Sequence, residues 1–253
     1  MLPKMRRKKG WMNLKIDRIV EETWDTKTFF FSDADDGARP FDYIAGQYLT
    51  FRYDGISDKP LVRSYTMSSS PVETDFSACT IKRVEGGVIS NWMCDTLKEG
   101  DIVKARGPIG KFAYFPETCN EHIVMVGAGS GVTPFISMMR EYIGRIGEEG
   151  CPKAMTLLVA YRSKKDLICW DTLQKINSAP GMKVITTLTR EDASSEGFWQ
   201  GRPDPEMLDR VVENDYTGKT FFTCGPESMM SMVVERCTEK NVAKEHIQLE
   251  SFS

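Results

Sequence analysis

The stretch His122–Arg140, HIVMVGAGSGVTPFISMMR, constrains the fold of this chain more than any other. It opens with an apolar run, Ile123–Val126, short enough for a strand buried on both faces. Gly127, Gly129 and Gly131 follow, then Val132-Thr133-Pro134, after which Phe135, Met138, Met139, Tyr142 and Ile143 recur at helical spacing. Strand, glycine turn and helix together aim free backbone N–H groups and a helix dipole at an anion, with glycines letting the backbone approach. The turn lacks the full dinucleotide fingerprint. Val132 stands where its third glycine would be, and the next expected strand, Met155–Tyr161, ends in Tyr161-Arg162-Ser163 without a carboxylate. By itself the stretch is compatible with a nucleotide site or with a structural turn, and the flanking sequence has to decide.

At 253 residues the chain can form two domains with separate cores. A net charge of −3 gives no electrostatic case for a nucleic-acid partner. The short basic run Lys4–Lys9 reads as a solvated tail. No run of about 18 apolar residues occurs, so no membrane span is expected. No apolar stretch follows the basic start before Asp17, so no secretory signal is expected either. Cys79, Cys94, Cys119, Cys151, Cys169, Cys224 and Cys237 are dispersed, none in C-x-x-C spacing. That distribution predicts reduced thiols, a cytoplasmic location and no metal site.

Before the glycine turn the pattern is β-rich. Asn13–Val20, Thr26–Phe31, Gln47–Tyr53, Leu61–Met67, Phe76–Val84 and Asp101–Arg106 read as short strands, interrupted by one helix, Val88–Leu97. Six such strands with turn signals between them predict an antiparallel barrel or sandwich. Two places in this half look chemical. On a strand, Arg63 and Tyr65 share one face while Ser64 and Thr66 share the other, and Ser68-Ser69-Ser70-Pro71 follow. Such a set can bind phosphate, stack on a flat ring and hydrogen-bond its edge, or can be an ordinary edge strand. The second place is Lys82-Arg83, then Gly86-Gly87 leading into a helix whose early hydroxyl is Ser90, which is either an anion site or a plain helix cap. A diphosphate ligand with a flat ring would use both.

After the turn, strands and helices alternate. Met155–Tyr161, Met182–Leu188, Lys219–Cys224 and Ile247–Glu250 are expected strands, and Asp166–Ile176, Glu206–Val212 and Glu227–Lys240 expected helices. This predicts a parallel sheet whose ligands lie at the carboxyl ends of its strands. The ends that matter are Gly127–Pro134, Tyr161–Lys165 and Thr223–Pro226. Neither histidine, His122 or His246, falls in such a loop, so a hydrolase triad has no support.

In this order the pieces resemble the ferredoxin–NADP⁺ reductase superfamily over Asn13–Ser253. The resemblance is carried by Arg63–Thr66, Gly87–Ser90, Gly129–Pro134 and Cys224–Pro226. Arg63–Pro71 and the terminal Glu250-Ser251-Phe252 are similar to reductases serving Rieske-type oxygenases or hybrid-cluster proteins. The resemblance implies an FAD-binding β-barrel at about 11–116 and an NAD(P)-binding α/β domain at about 117–253. It further implies that Arg63 holds the flavin diphosphate, completed by Ile81, Lys82, Gly86, Gly87, Val88 and Ser90. Tyr65 would stack on the isoalloxazine, with Ser64 beside it and Thr66 hydrogen-bonding near N5. Gly129, Gly131, Thr133, Pro134, Gly225, Pro226 and Met229 would hold the nicotinamide nucleotide, with Cys224 near C4 and Glu250 and Phe252 near the flavin edge. Tyr65, Thr66, Cys224 and Glu250 are the expected catalytic positions. Arg162 and Ser163, with Lys164 and Lys165, permit NADPH, although Arg162-Ser163 also resembles NADH-using relatives, so the expected cofactors are FAD with NADH or NADPH.

The implied function is electron transfer from NAD(P)H through FAD to an iron–sulfur acceptor, a ferredoxin or a Rieske-type oxygenase. Relatives ending in Glu-x-Phe often continue into a ferredoxin-like domain with four cysteines. The acceptor here is therefore either a separate protein or a further part of a longer chain. Two rivals remain open: a non-catalytic flavin-binding electron-transfer subunit of a larger complex, and a flavin-free dehydrogenase that would leave Arg63–Pro71 unexplained.

Overall fold

The computed structural model describes residues 10–55 and 59–252, so the basic run Lys4–Lys9 lies outside the described residues. The chain forms two compact units: Met1–Ala113 with Ile136–Glu141, and Tyr114–Phe135 with Tyr142–Ser253.

In the first unit β1 (Met12–Thr23), β2 (Thr26–Asp33), β3 (Tyr48–Tyr53), β4 (Leu61–Thr66), β5 (Ser77–Lys82) and β6 (Ile102–Ile109) form one antiparallel sheet, with α1 (Val88–Thr96) between β5 and β6. The strand order is β4-β3-β6-β1-β2-β5. An antiparallel bridge between Met67 and Cys79, next to the Ser68 N–H bond to the Ala78 carbonyl at 2.8 Å, joins the end of β4 to β5. This closes the sheet into a barrel, resolving the barrel-or-sandwich alternative. Alternation accounts for the inside: Met12, Leu14 and Ile16 are buried while Asn13, Lys15 and Asp17 face out. Phe29, Phe31 and Phe51 fill the centre, and α1 adds Ile89, Met93 and Cys94 to the same core.

The second unit is built on β7 (His122–Ala128), β8 (Ala154–Tyr161), β9 (Met182–Leu188), β10 (Trp199–Gln200), β11 (Lys219–Cys224) and β12 (Ile247–Glu250). All pair in parallel in the order β10-β9-β8-β7-β11-β12. A 3₁₀ turn at Gly129–Val132 leads into α2 (Thr133–Tyr142), of which Ile136–Glu141 belong to the first unit, and α3 (Trp170–Asn177), α4 (Pro205–Val211) and α5 (Glu227–Glu239) follow. The chain runs outward from β7 in one direction to β10 and resumes at β11 on the other side, so the order reverses between β7 and β11. Open α/β sheets place their ligands at such a switch point. One helix is shorter than its pattern predicts. The expected Asp166 start gives way to a 3₁₀ turn, and α3 begins at Trp170 after Cys169, whose φ of 53° is left-handed. Asp166 accepts a hydrogen bond from Ser163 Oγ at 2.6 Å, tying the turn shut ahead of the helix.

Candidate functional site

On β4 the strand pairing Phe51↔Arg63 and Leu49↔Tyr65 sets Arg63 and Tyr65 on the core-facing side, where the rings of Phe51 and Tyr65 lie 6.0 Å apart. Arg63 is exposed at the rim of this face and makes no ion pair among the described residues. Tyr65 is half-buried with its hydroxyl near Ser90, and burial pushes its pKa well above the usual phenol value. The two chemical places of the first half are thus brought together: the strand supplies Arg63 and Tyr65, and the start of α1 supplies Ser90. The helix start has no side-chain cap and no acidic residue in its first turn, leaving N–H groups free. Gly87 is required there, because a Cβ would meet Ser90 Oγ at 2.5 Å and the Val84 carbonyl at 3.0 Å. An exposed guanidinium on the same strand face as an aromatic ring, in the same unit as an uncapped helix start, matches a diphosphate joined to a flat heterocycle.

Several expected site residues are placed differently from one another. Thr66 is buried, and Ser64 Oγ bonds Thr50 Oγ1 at 3.0 Å. Ile81 lies in the core, its carbonyl accepting from Cys94 Sγ at 3.5 Å, while Val88 is exposed. Lys82 is held by buried Asp25 at 2.6 Å. Burial raises the Asp25 carboxyl, but its bonds with Lys82, Thr23 and Thr26 outweigh this and leave it below the usual carboxylate value. Sequence spacing does not reveal Asp25, because it reaches Lys82 across the β2–β5 pairing.

The run after β4 supports the site from behind. Ser69 Oγ meets Tyr43 OH at 2.6 Å and accepts from the Ala78 N–H at 2.8 Å. Thr80 Oγ1 donates to Ser68 Oγ at 2.8 Å and lies 2.7 Å from Thr28 Oγ1. From α2, Ser137 Oγ donates to the Ser69 carbonyl at 2.6 Å and Arg140 pairs with Glu73. A buried run whose polar groups are engaged internally fixes where β4 ends.

At the switch point of the second unit, one rung of the sheet runs Gly127–Cys224–Glu250 across β7, β11 and β12. Gly131 packs against this rung so closely that a Cβ would fall 2.2 Å from the Cys224 carbonyl oxygen. Gly225, at φ +153°, would place a Cβ 2.9 Å from the buried Met229 methyl and 3.3 Å from the Ala128 nitrogen. Gly129, at φ +53°, has open space around it. Thr133 Oγ1 donates to the Ser130 carbonyl at 3.0 Å, and Pro134 stands in the first turn of α2. Thr223 Oγ1 is buried with no hydrogen-bond partner among the described residues. Burial, reinforced by Glu250, raises the Cys224 pKa far above the usual thiol value, so this group is a neutral thiol. Burial also raises half-buried Glu250. Pro226 and Phe252 are exposed.

At the tip of β8, Arg162 is exposed and Ser163 is engaged by Asp166. Lys164 gives its backbone N–H to Glu191 at 2.8 Å and its ammonium to Glu196 at 2.7 Å. The carboxylates missing from the sequence at this tip come from the loop after β9, 27 residues away or more. No local spacing could signal them.

An antiparallel barrel with an Arg-x-Tyr-Thr strand against an uncapped helix start, followed by a parallel sheet with a glycine cradle at its switch point, defines a flavin- and nicotinamide-binding oxidoreductase. Residues 13–114 match the oxidoreductase FAD-binding domain family and residues 125–235 the oxidoreductase NAD-binding domain family. The chain therefore joins an oxidoreductase FAD-binding domain to an oxidoreductase NAD-binding domain. It is 32% identical over 231 residues to the glycine betaine monooxygenase reductase subunit of Pseudomonas aeruginosa, covering 88% of this chain and 60% of that protein. It is 28% identical over 240 residues to the ferredoxin reductase component of 3-ketosteroid-9-alpha-monooxygenase from Rhodococcus rhodochrous, covering 95% and 64%. The chain thus spans somewhat less than two thirds of the length of these relatives. Its fold is that of the FAD/NAD-binding domain of Vibrio cholerae nitric oxide dioxygenase, with TM-score 0.81, 24% identity and 98% and 99% of the two chains covered. The ferredoxin reductase of carbazole 1,9a-dioxygenase also shares the fold, with TM-score 0.76, 22% identity and 96% and 70% covered. Among the described residues no helix is long and apolar enough to cross a membrane.

Proposed function

We propose that this chain takes electrons from NADH or NADPH onto FAD and delivers them to an iron–sulfur protein, as the reductase component of an oxygenase system. The observation that carries this reading is the presence in one chain of two preformed anion sites of different construction, the β4–α1 face and the glycine cradle beside Cys224. Bound FAD accepts two electrons from a nicotinamide and releases them singly, which no side chain can do.

The roles follow from chemistry and placement. Arg63 and the first N–H groups of α1, with Gly86, Gly87, Val88 and Ser90, bind the flavin diphosphate. Ile81 contributes backbone, and Lys82 contributes field through its pair with Asp25. Tyr65 and Thr66, with Ser64, orient the ring. Gly129, Gly131, Thr133, Pro134, Gly225, Pro226 and Met229 seat the nicotinamide nucleotide, and Arg162 and Ser163 its adenosine end. Cys224 presents an uncharged thiol and Glu250 a carboxyl at the nicotinamide end, and Phe252 adds an aromatic contact. Hydride transfer needs positioning and exclusion of water rather than a strong base, consistent with both histidines lying away from the sheet tip. We place the domain boundary at 116/117. A cytoplasmic location is supported by seven free cysteines.

The test is the visible absorbance spectrum of the purified chain, followed by anaerobic addition of NADH and NADPH separately. Flavin bands that bleach faster with one nucleotide support the reading and identify the donor. Flavin bands that persist with both point instead to a complex-bound electron-transfer subunit. A protein that stays colourless after FAD is added refutes the flavin assignment.

A further inference from the structure

The outer edge of the second sheet carries a surface that neither cofactor reading uses. Among the described residues β12 is the last strand in the sheet order and pairs only with β11, so its other side is an open edge. There α5 and β12 line an open groove of about 260 Å³, formed by Glu227, Met230, Ser231, Val234, Glu235 and Leu249. The helical period explains the lining, because residues three, four, seven and eight positions after Glu227 share its face of α5. Met230 is buried, Val234 is half-buried, and Leu249 on the strand side is 51% exposed. Glu227 and Glu235 bracket this apolar strip. Both are exposed, and neither makes an ion pair or side-chain hydrogen bond among the described residues. Glu239, one turn further on, is by contrast held by Arg236 at 2.7 Å. Glu227 stands in the first turn, where a carboxylate favours the helix dipole, but Glu235 in the body of α5 gains nothing from it. Eight residues of helix separate the two carboxylates, about 12 Å.

We propose that this groove docks a basic amphipathic helix of a partner protein. Its apolar side chains would cover Met230, Val234 and Leu249, and a cation at each end would meet Glu227 and Glu235. An apolar strip with a polar rim marks a contact surface, and a rim of one sign selects a partner of the other. Helix-in-groove recognition places apolar anchors three and four residues apart, and cations seven or eight residues apart on the same face span the same distance of about 12 Å. A second copy of this chain does not suit the groove. Two-fold pairing across this edge would set Glu227 and Glu235 against each other or against their own counterparts, carboxylate on carboxylate. The proposal is independent of the flavin and nucleotide assignments, because none of the six lining residues has a role in them.

The test is fluorescence anisotropy of a labelled amphipathic helical peptide of leucine and lysine, titrated with the whole chain at low and high salt. A counterpart with glutamate at every lysine is the control. The chain should bind the lysine peptide at least about tenfold more tightly than the glutamate peptide, and high salt should weaken that binding. Glu227→Lys combined with Glu235→Lys should weaken it about 5- to 30-fold, and Leu249→Asp about tenfold or more. Thermal unfolding should match wild type in these variants, because all three side chains are exposed. Equal binding of the two peptides would overturn the proposal, as would lysine-peptide binding that both variants leave unchanged, or no binding by wild type. Sedimentation showing a wild-type dimer that Leu249→Asp dissociates would assign the groove to a second copy and overturn it as well.

Discussion

The two units build their proposed anion sites from different materials. In the barrel, side chains lead, with Arg63 and Tyr65 on one strand, Ser90 on one helix and Lys82 steadied by Asp25, and the uncapped N–H groups at the start of α1 add to them. In the parallel sheet it is made by backbone, where Gly131 and Gly225 bring main chain against main chain at the switch point. A side-chain site tolerates change in proportion to the contact removed. A backbone site fails as soon as any atom is added where none fits.

The sharpest way to break this contrast is Gly131→Ala. Its Cβ would fall 2.2 Å from the Cys224 carbonyl, with backbone on both sides unable to yield. A loss of about 3 kcal/mol is expected, at the upper end of overpacking. Reduction by NAD(P)H should collapse while FAD stays bound, read as flavin absorbance that no longer bleaches. The mirror experiment is Arg63→Ala, which removes charge-assisted bonds without crowding anything. FAD affinity should fall about 10- to 100-fold, with nicotinamide nucleotide affinity unchanged by calorimetry. Full FAD retention in that variant would refute the side-chain account of the barrel site.

Asp25→Asn is a finer probe, because it tests support rather than contact. The folded Asp25 carboxyl lies below its ordinary value of 3.8, so its contribution is present above that pH and is lost as pH falls through the lower folded value. The variant should cost about 1–2 kcal/mol at neutral pH, and in urea unfolding the difference from wild type should shrink as pH falls below 3.8. The smallest effect expected is that of Ser137→Ala, which removes the 2.6 Å bond to the Ser69 carbonyl and leaves that acceptor without its α2 partner. About 1 kcal/mol of stability should be lost, with flavin affinity unchanged in the same preparation.

Much of both proposed sites is legible in the amino-acid sequence. Arg63-Ser64-Tyr65-Thr66 and Gly86-Gly87 with Ser90 stand out because phosphate and ring recognition demand those residue types at strand and helix-start spacing. Gly127, Gly129 and Gly131 stand out because a strand-to-helix turn needs them. Asp25, Glu191 and Glu196 cannot be found that way. Each acts on a residue supplied by a different element, through strand register or loop return, and a local pattern carries no record of such meetings. The engaged hydroxyls of Ser68 and Ser69 make the same point in reverse: in sequence they look available to a ligand, and in the fold they bond Thr80, Tyr43 and Ala78.

By itself the sequence determined the periodicities, period two in the first half and alternating strand and helix in the second, because these depend only on which residues seek burial. It also determined where glycine had to stand. Only the tertiary structure decided that the first sheet closes through Met67 and Cys79, and that Lys82 answers to Asp25. It also decided that Gly131 rests on the Cys224 carbonyl. Those are contacts between residues far apart in the chain, and their geometry exists only once the cores have packed.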